Sequence, residues 1–230
     1  MAKKVFIGVG HGGSDPGACA NGLKEKNVNL TTALACKDEL ERHGVEVEMS
    51  RTKDEKDPLT DEINECNAYS PDLAVDVHHN AGRGDGAEAY CSINGGTGRT
   101  LATNILNEIK NIGQNSRGVK TKKRSDGLDY YGFVRCIKAP SVVVECAFLD
   151  NAKDVQIVDT EAENKTMGVA IAKGILKTLG IAWIDPAAKK EETKKTLYRV
   201  QVGAYSVKAN AEKMRAKLIE DGYSAIIVEA

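Results

Sequence analysis

The chain has 230 residues, 41% hydrophobic and 28% charged, a balance that supplies one substantial core with something smaller beside it and excludes a disordered polar protein. Lys and Arg number 32 against 33 Asp and Glu, and a formal charge of -1 gives no field that would make nucleic acid the default partner. With 5% aromatic residues, 22 Gly and only 5 Pro, the composition suits an α/β domain better than a β-sandwich.

The opening MAKKVFIGVG holds an apolar run too short for the core of a secretory signal and far too short to cross a bilayer. The expectation is synthesis in the cytoplasm without a signal peptide and no membrane insertion. VFIGVG at 5 to 10 predicts a buried parallel strand. The glycine-rich GVGHGGSDPGA that follows lacks the GK[ST] ending of a phosphate loop and runs into Asp15 and Pro16 instead of opening a helix. Its glycines read as a sharp turn that aims His11.

A helix is predicted from Val28 to His43, closed by Gly44, then a strand at 45 to 49 and a weaker helix from Leu59 to Ala68. LAVDVH at 73 to 78 predicts a second core strand, and GAEAYCS at 86 to 92 a strand that is antiparallel at an edge. A helix from Thr100 to Ile112, a third core strand SVVVECAF at 141 to 148 and a helix from Met167 to Leu179 complete the run. Strands alternating with helices imply a three-layer α/β/α sandwich on a mostly parallel, twisted sheet, spanning residues 1–183.

Residues 184–196 carry a Pro and alternating charge blocks without apolar periodicity, the mark of a charged linker. Over 197–230 the pattern predicts a βαβ tail: a strand in LYRVQVGAY, an amphipathic helix from Asn210 to Glu220 with Ala211, Met214 and Leu218 on one side, and a strand in YSAIIVEA. A unit that small buries too little apolar surface to be stable alone. The six cysteines (Cys19, Cys36, Cys66, Cys91, Cys136, Cys146) show no CxxC spacing and read as reduced, mostly buried thiols.

In open α/β sheets ligands bind beyond the carboxyl ends of the strands. His11, His78 and Glu145 fall at or near those ends, and Glu25 falls in the loop before the first helix, on the same rim. Two imidazoles and a carboxylate with a position left open is the ligand set of a catalytic zinc site. His43 precedes a helix-ending Gly and reads as a C-terminal cap, while His79 points to the opposite face from His78 by the two-residue strand period. Glu145, after three valines, is costly to place without a partner or a task. It is either a general base or a structural carboxylate paired with an arginine such as Arg135.

The motifs GHGGSDPGA at 10 to 18, GLKEKNVNL at 22 to 30, DVHHNA at 76 to 81, GAEAY at 86 to 90, RGVK at 117 to 120 and PSVVVECAFLDN at 140 to 151 occur in the order of a known family. The chain resembles a zinc-dependent N-acetylmuramoyl-L-alanine amidase of the Amidase_3 type over most of residues 1 to 180. The resemblance implies one zinc ion per catalytic domain on His11, Glu25 and His78, with Glu145 as the catalytic glutamate. It implies hydrolysis of the amide between the lactyl group of N-acetylmuramic acid and the L-alanine of the peptide stem in peptidoglycan. His79 stands where the family often has a small residue, and the family arrangement and the strand period both favour His78 as the ligand.

Residues 197 to 228 resemble the first half of a SPOR domain, a glycan-binding module of ferredoxin-like form. The expectations are a wall-binding tail that pairs with a second copy to make a homodimer, and an enzyme acting at the bacterial wall after holin release or cell lysis. A phage endolysin fits best. A mother-cell or autolytic amidase of a sporulating bacterium, a zinc peptidase acting on the stem and a non-enzymatic wall-binding protein are the alternatives.

Overall fold

The computed structural model describes residues 2–185 and 200–228. The chain divides into two units, Met1–Ile184 and Asp185–Ala230. In chain order the first contains β1 (Lys4–Val9), β2 (Cys19–Ala20), β3 (Leu23–Lys24), α1 (Glu25–Arg42), β4 (Glu46–Met49), α2 (Leu59–Tyr69), β5 (Leu73–Asn80), β6 (Ala87–Cys91), α3 (Gly96–Asn111), β7 (Ser116–Lys120), α4 (Gly132–Cys136), β8 (Ser141–Phe148), α5 (Ala152–Val155) and α6 (Glu161–Leu179).

Six strands form one sheet in the order β4-β1-β5-β8-β6-β7. Every neighbouring pair is parallel except β6 with β8. The valine-rich strands β1, β5 and β8 sit at the centre, where both faces are covered. One face packs on α1, α3 and α6 through Val5, Ile7, Leu40, Val75, Val77, Ile105, Val144 and Ile171, all essentially without exposure. The other packs on α2 and α4 through Phe6, Cys66, Ala74, Phe133 and Val143. This is the expected three-layer sandwich.

Two expectations are corrected. The strand at 87 to 91 is antiparallel but not at an edge, because β7 pairs beyond it. β7 reads Ser-Arg-Gly-Val-Lys, too polar to signal a strand, and its residues are half-buried or exposed as befits an edge. α6 starts six residues before Met167, nucleated by a capping box in which Thr160 and Glu163 satisfy each other's backbone N–H groups.

In the second unit the one helix among the described residues is α7 (Lys208–Glu220), on which Ala211, Met214 and Leu218 are the half-sheltered residues together. The flanking strands expected in 197–205 and 223–230 are not formed within residues 200–205 and 223–228. A strand needs a neighbour for its N–H and C=O groups, and those segments have none in a ladder. Val200 is 84% and Ile226 76% exposed. Most of the expected linker and residues 197–199 lie outside the described residues. No helix among the described residues is long and apolar enough to cross a membrane.

Candidate metal centre

Just beyond β1, Gly10 N–H still bonds the Val77 carbonyl, and His11 then takes a left-handed backbone with φ 64°. That conformation is costly for a residue with a side chain and persists where surroundings enforce it. Here a tight turn, with Gly12 and Asp15 exchanging backbone hydrogen bonds, does so. Asp15 Oδ2 lies 2.8 Å from His11 Nδ1. A carboxylate only accepts, so Nδ1 carries a proton toward Asp15, while Nε2 lies 3.2 Å from Glu25 Oε2.

Glu25 is the first residue of α1 and only 4% exposed. Its Oε2 accepts from the Ala18 N–H at 2.8 Å and its Oε1 from the His79 N–H at 3.1 Å. Burial pushes this carboxyl up, but hydrogen bonds with His11 and His78 outweigh it and hold the group well below the usual carboxylate range. His78, at the end of β5, brings Nδ1 to 3.0 Å from Glu25 Oε1.

The rings of His11 and His78 stand edge to face with centroids 5.2 Å apart. One ligand atom from each of His11, Glu25 and His78 lies within 4.8 Å of the others, which makes this trio a group that could hold a metal ion. Glycine is required where the backbone crosses it. A methyl on Gly10 would lie 2.1 Å from His78 Cε1, and one on Gly17 2.5 Å from Glu25 Oε2.

Glu145 is the register partner of His78 on the neighbouring strand β8, so the two side chains leave the same face one strand spacing apart. Its Oε2 is buried without a hydrogen-bond partner. Burial raises its pKa to about 7, with the nearby His78 opposing. Pairing with Arg135 is not made: that guanidinium donates to the carbonyls of Asp129 and Tyr130 at 2.7 and 2.8 Å. His79 faces away, with its Nδ1 2.7 Å from Asn29 Oδ1, and burial lowers its pKa to about 4. It is a neutral core imidazole. His43 caps α1 and stacks on Trp183.

Several residues that organise this rim carry no sequence signal. Arg51, 2% exposed, donates to the carbonyls of Val9, Gly10, Lys26 and Lys53 and so ties the His11 loop to the start of α1. Arg51→Met strands those carbonyls and is expected to cost about 3 kcal/mol in urea unfolding; a loss under about 1 kcal/mol contradicts this role. On β6, Glu88 pairs in register with Glu145 and accepts from Arg117, Lys120 and Tyr90. Tyr90 in turn packs against Tyr131 at 4.6 Å. Beside the acidic centre stands a basic and aromatic wall.

Residues 5–177 match the family described as N-acetylmuramoyl-L-alanine amidase (Amidase_3), and residues 173–230 match the SPOR domain. The chain is 31% identical over 229 residues to the sporulation-specific N-acetylmuramoyl-L-alanine amidase of Bacillus subtilis, covering 98% of this chain and 84% of that protein. It is 33% identical over 190 residues to the endolysin of Bacillus phage SPP1, covering 79% of this chain and 68% of that one. Among solved structures, Cwp6 from Clostridium difficile superposes with a TM-score of 0.76 at 39% identity, over 78% of this chain and 30% of that longer one. With three quarters of its length matched by the family model and a relative 31% identical over 98% of the chain, the chain belongs to the N-acetylmuramoyl-L-alanine amidase family.

Proposed function

We infer that the chain is a zinc-dependent peptidoglycan hydrolase cutting the amide between N-acetylmuramic acid and L-alanine. The observation that carries this is the convergence of His11, Glu25 and His78 donor atoms within 4.8 Å, beside a carboxylate, Glu145, left with an unpartnered oxygen. The donor set of two imidazoles and one carboxylate fits zinc, and three protein ligands leave the open position that catalysis needs. His11 would bind through Nε2, since Asp15 occupies Nδ1, and His78 through Nδ1. A zinc ion held there supplies Lewis-acid polarisation of the scissile carbonyl and a more acidic water.

The rest falls to the chain's own groups. Glu145, whose carboxyl burial pushes up to about 7, takes a proton from the attacking water and returns it to the departing L-alanine amine. Asp15 holds His11 in one tautomer, and the buried Glu25 keeps both rings converged.

Residues 1–183 act in this reading as the catalytic domain, 184–196 as a linker and 197–230 as a tail that binds peptide-stripped glycan. The tail's exposed Val200, Val202, Tyr223, Ile226 and Val228 support pairing with the tail of a second copy. Sedimentation of the full chain is expected to give a dimer and of a version ending at Trp183 a monomer; equal monomeric masses contradict the pairing. A catalytic domain followed by a short wall-binding tail is economical for a phage endolysin acting on the wall after holin release. Digestion of purified sacculi tests the activity. Free lactyl groups with new L-alanine amines support it, and released D-amino acids identify a stem peptidase instead.

A further inference from the structure

His78 has a second contact that the mechanism above leaves unused. Asp76, two residues earlier on β5, leaves the strand on the same face and brings Oδ2 to 3.2 Å from His78 Nε2. An imidazole that turns the Nδ1 lone pair toward a metal carries its proton on Nε2, and a carboxylate is matched to accept it. Asp76 is 4% exposed, and its other oxygen, Oδ1, is buried without a hydrogen-bond partner. So is Oε1 of Glu62, which is 5% exposed and reaches in from α2.

The two orphaned oxygens converge on one point of β1. A methyl built on Gly8 would lie 2.2 Å from Glu62 Oε1 and 2.9 Å from Asp76 Oδ1, so only glycine leaves them room. Burial, reinforced by the charge of Asp76, raises Glu62 well above the usual carboxylate range.

We propose that Asp76 is a positioning residue that fixes the His78 ring with Nδ1 toward the ion, and that Glu62, passing over Gly8, holds the Asp76 carboxylate in place. This rests on the reading of His11, Glu25 and His78 as zinc ligands. Its signature is in metal affinity and tautomer, which a residue that merely fills space does not set.

The test is chelator-competition titration of zinc on the full-length chain, with imidazole nitrogen NMR of the zinc-loaded protein. Asp76→Ala is expected to bind zinc about 10- to 100-fold more weakly. Asp76→Asn, which keeps a neutral acceptor in the same place, recovers part of that loss, and the parent shows His78 protonated on Nε2. Glu62→Gln, which retains a donor for Asp76, holds affinity better than Glu62→Leu.

Parent-like affinity in both Asp76 variants, or a His78 proton on Nδ1, overturns the role of Asp76. Equal affinities in the two Glu62 variants overturn that of Glu62. A parent that takes up no zinc removes the underlying zinc reading as well, and is told apart by that alone. Should Asp76→Ala not fold, the Asn variant and the parent spectrum still decide the matter.

Discussion

Glu145→Gln is expected to lower kcat on sacculi by about 10²- to 10⁴-fold while leaving zinc content and the melting transition close to those of the parent. The amide is nearly isosteric and uncharged, so it keeps the packing of β8 but cannot take a proton from water. Replacing a partly buried carboxylate whose Oε2 has no partner removes a desolvation cost, and stability should hold or rise. The pH profile carries the same information. A base works deprotonated, so kcat/KM rises with pH through the pKa of Glu145, which burial sets at about 7. A nearby dication pulls that value down, placing the acid limb at or below about 7. A residual rate in Glu145→Gln that keeps the same limb, or a loss smaller than about tenfold, contradicts the assignment of Glu145 as the base.

The second large effect is expected in His78→Ala. Metal analysis should fall from about one zinc per chain to a small fraction, because a site of three protein ligands is reduced to two. Hydrolysis should fall with it. The substitution also leaves Glu25 and Asp76 facing a gap, two buried carboxylates that His78 had bridged at 3.0 and 3.2 Å. A fall in stability is therefore expected as well, and zinc content is to be compared on protein shown to be folded by circular dichroism. The control is His79→Asn, a change at the adjacent imidazole. His79 turns to Asn29 in the core and touches Glu25 only through its backbone N–H, so zinc should be retained. Loss of zinc in His79→Asn with retention in His78→Ala exchanges the two roles.

The parts of this fold legible from sequence are those where one residue's environment is set by its own strand or helix. The valine runs of β1, β5 and β8 declare buried parallel strands, and the strand period alone sends His78 and His79 to opposite faces. The carboxyl-edge rule then gathers His11, Glu25, His78 and Glu145 on one rim, and the structure converges the first three. What sequence hid depends on distant partners. Arg51 looks like any charged residue after a strand until four carbonyls from three segments surround it. Asp76 and Glu62 belong to different elements, and both reach the space that Gly8 leaves open. β7 is a strand by virtue of β6, not of its own composition. The tail shows the converse: its alternation reads as strands, but among the described residues 200–205 and 223–228 alternation without a partner strand forms no ladder.

Zinc K-edge X-ray absorption on the purified full chain tests the centre of this account most directly. Two imidazole nitrogens at about 2.0–2.1 Å and oxygen ligands at about 2.0–2.2 Å, with no sulfur shell, are the result predicted from His11, His78 and Glu25. A zinc shell containing sulfur at about 2.3 Å, which would put the ion on the chain's cysteines, or protein purified in the presence of zinc without a stoichiometric ion, contradicts it.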